Sequence, residues 1–300
     1  MTDYRPEDQA SLPPIGFIAV QCFFYRPAGD AFNENTWAFP VIRELAEGSR
    51  EDQLVTKVAY DDAFIDNFVA AGKKLAERGA VGILTSCGFL AMAQPLLAER
   101  LPIPVATSSL IQIPSILAWL PPSKKIGIIT YNARELVSLH FERLGISKEH
   151  AARCHIAGAP DGGSLRLLVT SKGPYNFDDI EKEMIAAAKE LMDEHPDIGA
   201  FVLECTQMPP FGESVQRVTG LPTYDVYTMG TWFYSGLCGQ SDSIATNSAN
   251  RELKTELIRA DRRPPCGAPS RGGADRAEQN ATLVGSGSRG RALDGRSRNG

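Results

Sequence analysis

Gly82-Ile83-Leu84-Thr85-Ser86-Cys87-Gly88-Phe89 is a short apolar run that ends in a cysteine and then turns to small, helix-starting residues. It has a near twin in Phe201-Val202-Leu203-Glu204-Cys205-Thr206-Gln207-Met208-Pro209, and the two cysteines lie 118 positions apart. Apolar runs of this length bounded by turn signals predict buried strands of a parallel sheet. In such sheets ligands sit at the carboxyl ends of the strands. Cys87 and Cys205 are therefore read as a pair facing one site. Taken singly, each thiol reads equally well as a small buried hydrophobe; the duplicated context tells against that.

Working outward, Ile15-Gly16-Phe17-Ile18-Ala19-Val20 predicts the first strand, followed by a polar, aromatic loop over residues 21–37. Long loops at strand ends are often functional. Asp61 and Asp62 predict the N-terminal cap of a helix to residue 78, closed by Gly79. After the Cys87 strand come a helix over 89–100, a strand at 103–106, and a helix capped by Thr107-Ser108-Ser109. The pattern then restarts. Ile126-Gly127-Ile128-Ile129-Thr130 restates the first strand at an offset of 111 residues. A helix over 133–144, a strand at 154–157, a loop over 161–177 and a helix capped by Asp178-Asp179 lead to the Cys205 strand. A helix from Met208, a short strand at 222–226 and a helix over 228–237 follow. The expectation is an α/β protein of two pseudo-symmetric parallel-sheet domains, residues 12–120 and 121–225, with residues 226–240 returning to the first.

The totals fit that picture. Three hundred residues, 43% hydrophobic and 22% charged, suffice for a sizeable core. The formal net charge of −5 recommends neither nucleic acid nor an anionic membrane as partner. Residues 1–11 lack the apolar centre of a secretory signal, and no run reaches the length of a spanning helix. Six cysteines without Cys-x-x-Cys spacing predict neither a zinc site nor a disulfide scaffold, and a reducing cytoplasm. The last fifty residues hold 11 Lys and Arg against 6 Asp and Glu, with no aromatic after Tyr234. That composition predicts a disordered basic tail over 250–300. Such a tail could touch nucleic acid, but a solvated one is the ordinary case. Asn280-Ala281-Thr282 matches a glycosylation sequon, with nothing else pointing to secretion.

Ser86-Cys87-Gly88-Phe89 and Glu204-Cys205-Thr206-Gln207-Met208-Pro209 resemble the two cysteine motifs of the aspartate/glutamate racemase superfamily. That group includes amino-acid and hydantoin racemases, maleate isomerases and arylmalonate decarboxylases. The resemblance covers about residues 12–240. It implies two α/β domains with the active site in the cleft between them, and no cofactor. The chain departs from the amino-acid racemases at Gly88-Phe89, where they carry Asn-Thr. It departs again at Gln21-Cys22-Phe23-Phe24, where they carry Asp-Ser and glycines.

Racemising a carbon acid without a cofactor requires a base on one face and an acid on the other. A thiol moved from its ordinary pKa toward neutrality can serve as either. Helix starts after Cys87 and Cys205 would favour a thiolate and offer N–H groups to a substrate carboxylate. Gly88 would let the backbone approach closely, and Thr206 could bond a carboxylate or cap the next helix. Gln21 and Arg26 in the first loop, and Thr130-Tyr131-Asn132 at the repeated strand's end, complete the candidate substrate contacts. Arg26 reads equally as a solvated charge, and Thr107 and Ser108 as simple caps. Cys22 could line the same cleft or merely pack. His140, His150 and His195 read as surface residues. No phosphate-loop or dinucleotide motif is present, and no metal is expected. The function expected is a cytoplasmic racemase or epimerase of a small carboxylate-bearing carbon acid, amino-acid or hydantoin-like by the resemblance. A homo-oligomer stays open. Two alternatives stand beside it: a single-cysteine maleate-type isomerase or arylmalonate-type decarboxylase, and a non-catalytic ligand-binding protein.

Overall fold

A computed structural model describes residues 12–238; the expected tail, the sequon and Cys266 lie outside the described residues. Among the described residues eight strands form two all-parallel four-stranded sheets. The first sheet contains β1 (Ile15–Gln21), β2 (Val41–Arg50), β3 (Ile83–Thr85) and β4 (Val105–Ala106), in the order β2-β1-β3-β4. The second contains β5 (Lys125–Thr130), β6 (Cys154–Gly158), β7 (Ile198–Leu203) and β8 (Thr223–Tyr224), in the order β6-β5-β7-β8. The restated strand thus fills the same place in both sheets. β1 is buried except at Gln21, as a central strand covered on both faces must be. Gly16 and Gly127 share a reason too. A Cβ on Gly127 would lie 2.6 Å from the Phe201 ring, and one on Gly16 would lie 3.0 Å from Leu75.

Helix α1 (Glu51–Leu54) follows β2, and α2 (Asp62–Glu77) is capped by the Asp61 side chain accepting from the Phe64 N–H. It covers the first sheet through Ile65, Phe68 and Leu75. α3 (Gln94–Arg100) and α4 (Ile113–Trp119) complete the first half. The second half holds α5 (Ser138–Arg143), α6 (Lys148–Ala151), α7 (Ser164–Val169), α8 (Phe177–Glu194) and α9 (Gly212–Thr219). α10 (Val226–Leu237) then crosses back to bury Val226, Met229 and Tyr234 against Phe17, Trp37 and Leu84 of the first half. Gly230 makes room for Trp37, whose ring lies 2.5 Å from where a Cβ would stand.

The differences from the sequence expectations have local causes. β2 was not foreseen because it is an edge strand with only Ala46 and Ser49 buried, so it shows no apolar run. Its Glu44 pairs with Lys74 and Arg78 of the covering helix region, a common way of blunting a sheet edge. The expected helix over 89–100 is instead a 3-10 turn, Gly88–Ala93, followed by α3, with Pro95 at the first turn of α3. The helix expected over 133–144 shrinks to α5, because Asn132 folds the chain into a turn by accepting from the Arg134 N–H. The expected loop over 161–177 contains α7. Its N-terminus follows Gly163, which has no capping side chain; Glu183 of α8 supplies the acceptor. The cap of α8 is Asn176 rather than Asp178-Asp179. His140, expected at the surface, is fully buried edge-on to Phe89, their centroids 5.1 Å apart. Burial lowers its pKa to about 4, so the ring packs neutral.

Candidate active site

Four strands end on one cavity. β1 delivers Gln21 and Cys22, followed by Phe24 and Arg26; β3 delivers Ser86, Cys87, Gly88 and Phe89. β5 delivers Tyr131, and β7 delivers Glu204, Cys205, Thr206 and Gln207. The void therefore lies at the carboxyl ends of both sheets, where parallel strands leave their ligand crevice.

Hydrogen bonds between the halves hold the two cysteine turns together. The Thr206 hydroxyl donates to the Ser86 carbonyl at 2.8 Å, joining the residue after Cys205 to the residue before Cys87. Ser109 donates to the Leu203 carbonyl at 2.9 Å, and the Ala31 N–H to the Thr206 carbonyl at 3.1 Å. The Ser86 hydroxyl in turn accepts the Val20 N–H at 2.8 Å. Thr206 thus spends its hydroxyl on the scaffold.

The two thiols differ. Cys205 is buried and donates to Gln207 Oε1 at 2.9 Å. Burial, and after it the neighbouring Glu204 carboxyl, hold its pKa well above the usual thiol range. Its resting state is the neutral thiol, against the expectation of a helix-favoured thiolate. Cys87 is half-buried, caps the 3-10 turn in extended geometry, and offers no side-chain capping bond. The first N–H groups of that turn, from Gly88 and Phe89, have no acceptor within it.

Arg26 is buried beneath the first loop, its Nε donating to Asp30 at 2.7 Å and its Nη1 to the Cys22 sulfur at 3.5 Å. Its guanidinium lies 5.1 Å from the Phe24 centroid and 5.2 Å from that of Phe32. Nη2 is buried without a hydrogen-bond partner. Burial works against charge on both Arg26 and Asp30. We take the pair as ionised, because a guanidinium does not surrender its proton and Asp30 stands 2.7 Å away.

Glu204 and Tyr60 are the residues that sequence reading passed over. Glu204 ends an otherwise apolar strand, which is itself a signal of a special environment. Its Oε2 accepts from the Thr130 hydroxyl at 2.6 Å, whereas Oε1 is buried with no partner. Burial pushes its pKa up to about 7 against the lowering effect of the Thr130 and Tyr131 hydrogen bonds. The Tyr60 hydroxyl lies 2.8 and 3.0 Å from the Leu54 and Phe89 carbonyls and shares its one proton between them, bracing the Cys87 turn from behind. Thr130 reaches the site only through Glu204, and Asn132 lies outside the cavity lining, engaged in its own turn.

Gly88 owes its place to Glu204 as well. A Cβ there would stand 2.1 Å from Glu204 Oε1 and 2.5 Å from its main-chain oxygen. The carboxyl could swing aside, but the backbone oxygen could not. Gly88→Ala is expected to lower stability by about 1–3 kcal/mol, read as a shift of the urea midpoint with unchanged slope. A variant as stable as wild type would show the two cysteine turns to be less tightly apposed.

No family model matches the chain. A dimethylsulfoniopropionate lyase of Durusdinium sp. clade D is 28% identical over 227 residues, covering 74% of this chain and 74% of that protein. Dimethylsulfoniopropionate lyase 7 of Emiliania huxleyi is 25% identical over 284 residues, covering 85% of this chain and 82% of its own. Among solved structures, allantoin racemase from Klebsiella pneumoniae superposes with a TM-score of 0.50 at 15% identity, over 74% of this chain and 87% of that one. The fold is thus that of this racemase, two parallel-sheet α/β halves as the cysteine motifs implied. The sequence relatives carry the name of a lyase, where the motifs suggested an isomerase. No helix among the described residues is long and apolar enough to cross a membrane.

Proposed function

We propose that the chain is a thiol-dependent lyase acting on a small carboxylate, with dimethylsulfoniopropionate as the substrate its relatives' names indicate. The observation carrying this reading is the inequality of two cysteines on one cavity. A racemase of this type needs thiols able to exchange acid and base roles. Here burial and Glu204 keep Cys205 protonated, which suits chemistry with one base.

In that reaction the Cys87 thiolate takes a proton from C2, beside the carboxylate. The C–H electron pair becomes the C2–C3 double bond, and the C3–S bond breaks with its pair going to sulfur. Dimethyl sulfide leaves neutral, acrylate remains, and Cys87 returns its proton to solvent. Negative charge developing on the carboxylate is met by Arg26 Nη2. The cysteine motifs and the shared fold support racemisation as a second reading, which begins with the same proton abstraction.

Incubation with dimethylsulfoniopropionate in D₂O separates these readings. Dimethyl sulfide and acrylate released in equal amounts is the expected result. No release, with deuterium gained at the stereocentre of a chiral amino acid or hydantoin, overturns elimination in favour of racemisation. Binding without turnover leaves a ligand-binding protein.

A further inference from the structure

The geometry points to Arg26 and Glu204 as the two poles that make the cavity selective for a zwitterion, the guanidinium taking a carboxylate and Glu204 a cationic group. This assignment rests on the proposed lyase reading and extends it to how the substrate's charges are told apart. Both residues line the same cavity, and each has one buried side-chain polar atom without a hydrogen-bond partner: Nη2 of Arg26 and Oε1 of Glu204. A buried polar group left unsatisfied is costly, so two on one cavity describe what is missing from it. Nη2 requires an acceptor. Its neighbours Nε and Nη1 are already committed to Asp30 and Cys22, which holds the fork in a fixed direction.

Glu204 is the complementary case. Its other oxygen is held by Thr130, and no cationic side chain among the described residues forms an ion pair with it. Arg26, the cation lining the same cavity, is paired with Asp30 instead. A carboxyl kept in the interior without a counter-charge gains most from a ligand that brings one. The Phe24, Phe89 and Tyr131 rings share the lining, and aromatic faces favour methylated onium groups. Gly88 contributes by leaving open the space in which Oε1 sits.

Calorimetric titration of the full chain at about pH 8, where a carboxyl of this kind is ionised, tests the assignment with three compounds of matched shape. They are 3-(trimethylammonio)propionate, its carbon isostere 4,4-dimethylpentanoate, which keeps the carboxylate and lacks the cationic charge, and (3-hydroxypropyl)trimethylammonium, which lacks the carboxylate. Wild type is expected to bind the first at least about tenfold more tightly than either other. Glu204→Gln should bring the first two within about threefold of each other, and Arg26→Lys should weaken both carboxylates more than the third. Equal binding of the zwitterion and its carbon isostere, a preference that survives Glu204→Gln, or binding of none of the three overturns the assignment. None of these readings requires turnover. The expected preference without release of dimethyl sulfide from dimethylsulfoniopropionate supports the two poles while removing the elimination. Release without the preference removes the poles alone.

Discussion

Cys87→Ser is expected to lower kcat/KM for dimethyl sulfide release by about 10³-fold, whereas Cys205→Ser lowers it by about tenfold or less. Serine keeps the shape of cysteine while replacing a thiol by a hydroxyl that is a far weaker acid, so a thiolate base is removed with little change in packing. Cys205 already sits as a neutral donor to Gln207 Oε1, and a serine hydroxyl can make the same bond. The scaffold contact from Thr206 to Ser86 touches neither sulfur, so both variants should keep the apposition of the two turns. Headspace measurement of dimethyl sulfide, with circular dichroism to establish folding, reads the result. Equal, large losses from both variants would mean that the thiols work as an exchanging pair, and the one-base mechanism would fall.

Glu204→Gln should remove from the stability profile a fall of about 3 kcal/mol across the window between Glu204's ordinary and folded pKa values, leaving the opposite slope of His140 uncompensated. Burial raises this carboxyl from 4.5 to about 7 in the folded chain. Between those values the native state holds a proton that the unfolded state has released. Stability from this group therefore falls as pH rises through the window, and it levels off above about pH 7. His140 works in the opposite sense. Its folded pKa of about 4 lies below the ordinary 6.5, so its contribution grows with pH across much of the same range. The two slopes offset each other in wild type, and only the difference between wild type and variant isolates Glu204. Urea unfolding at several pH values between 4 and 8 measures it: Glu204→Gln should gain on wild type as pH rises. A constant difference would mean that the carboxyl is solvated or paired in solution.

Much of the fold is legible locally. The restated Ile-Gly strand, the Asp61 cap and the apolar runs before Cys87 and Cys205 depend on neighbours within a few residues, so period and capping reveal them. β2 and α7 escaped for the reverse reason. One is an edge strand with few buried residues, and the other borrows an N-terminal acceptor for its Leu165 N–H from Glu183, eighteen residues away in the chain. His140 escaped because a single histidine on a short helix says nothing of the Phe89 ring that covers it.

The candidate site divides the same way. Sequence by itself determined that two strands end in cysteines and that those ends belong to parallel sheets, because strand burial and turn chemistry are written in adjacent residues. Only the tertiary structure decided that the two thiols are unequal, that Arg26 is buried on Asp30, and that Glu204 lines the cavity with an unpaired oxygen. Those properties come from desolvation and from contacts such as Thr206 with Ser86, 120 residues apart, which have no signature in local sequence.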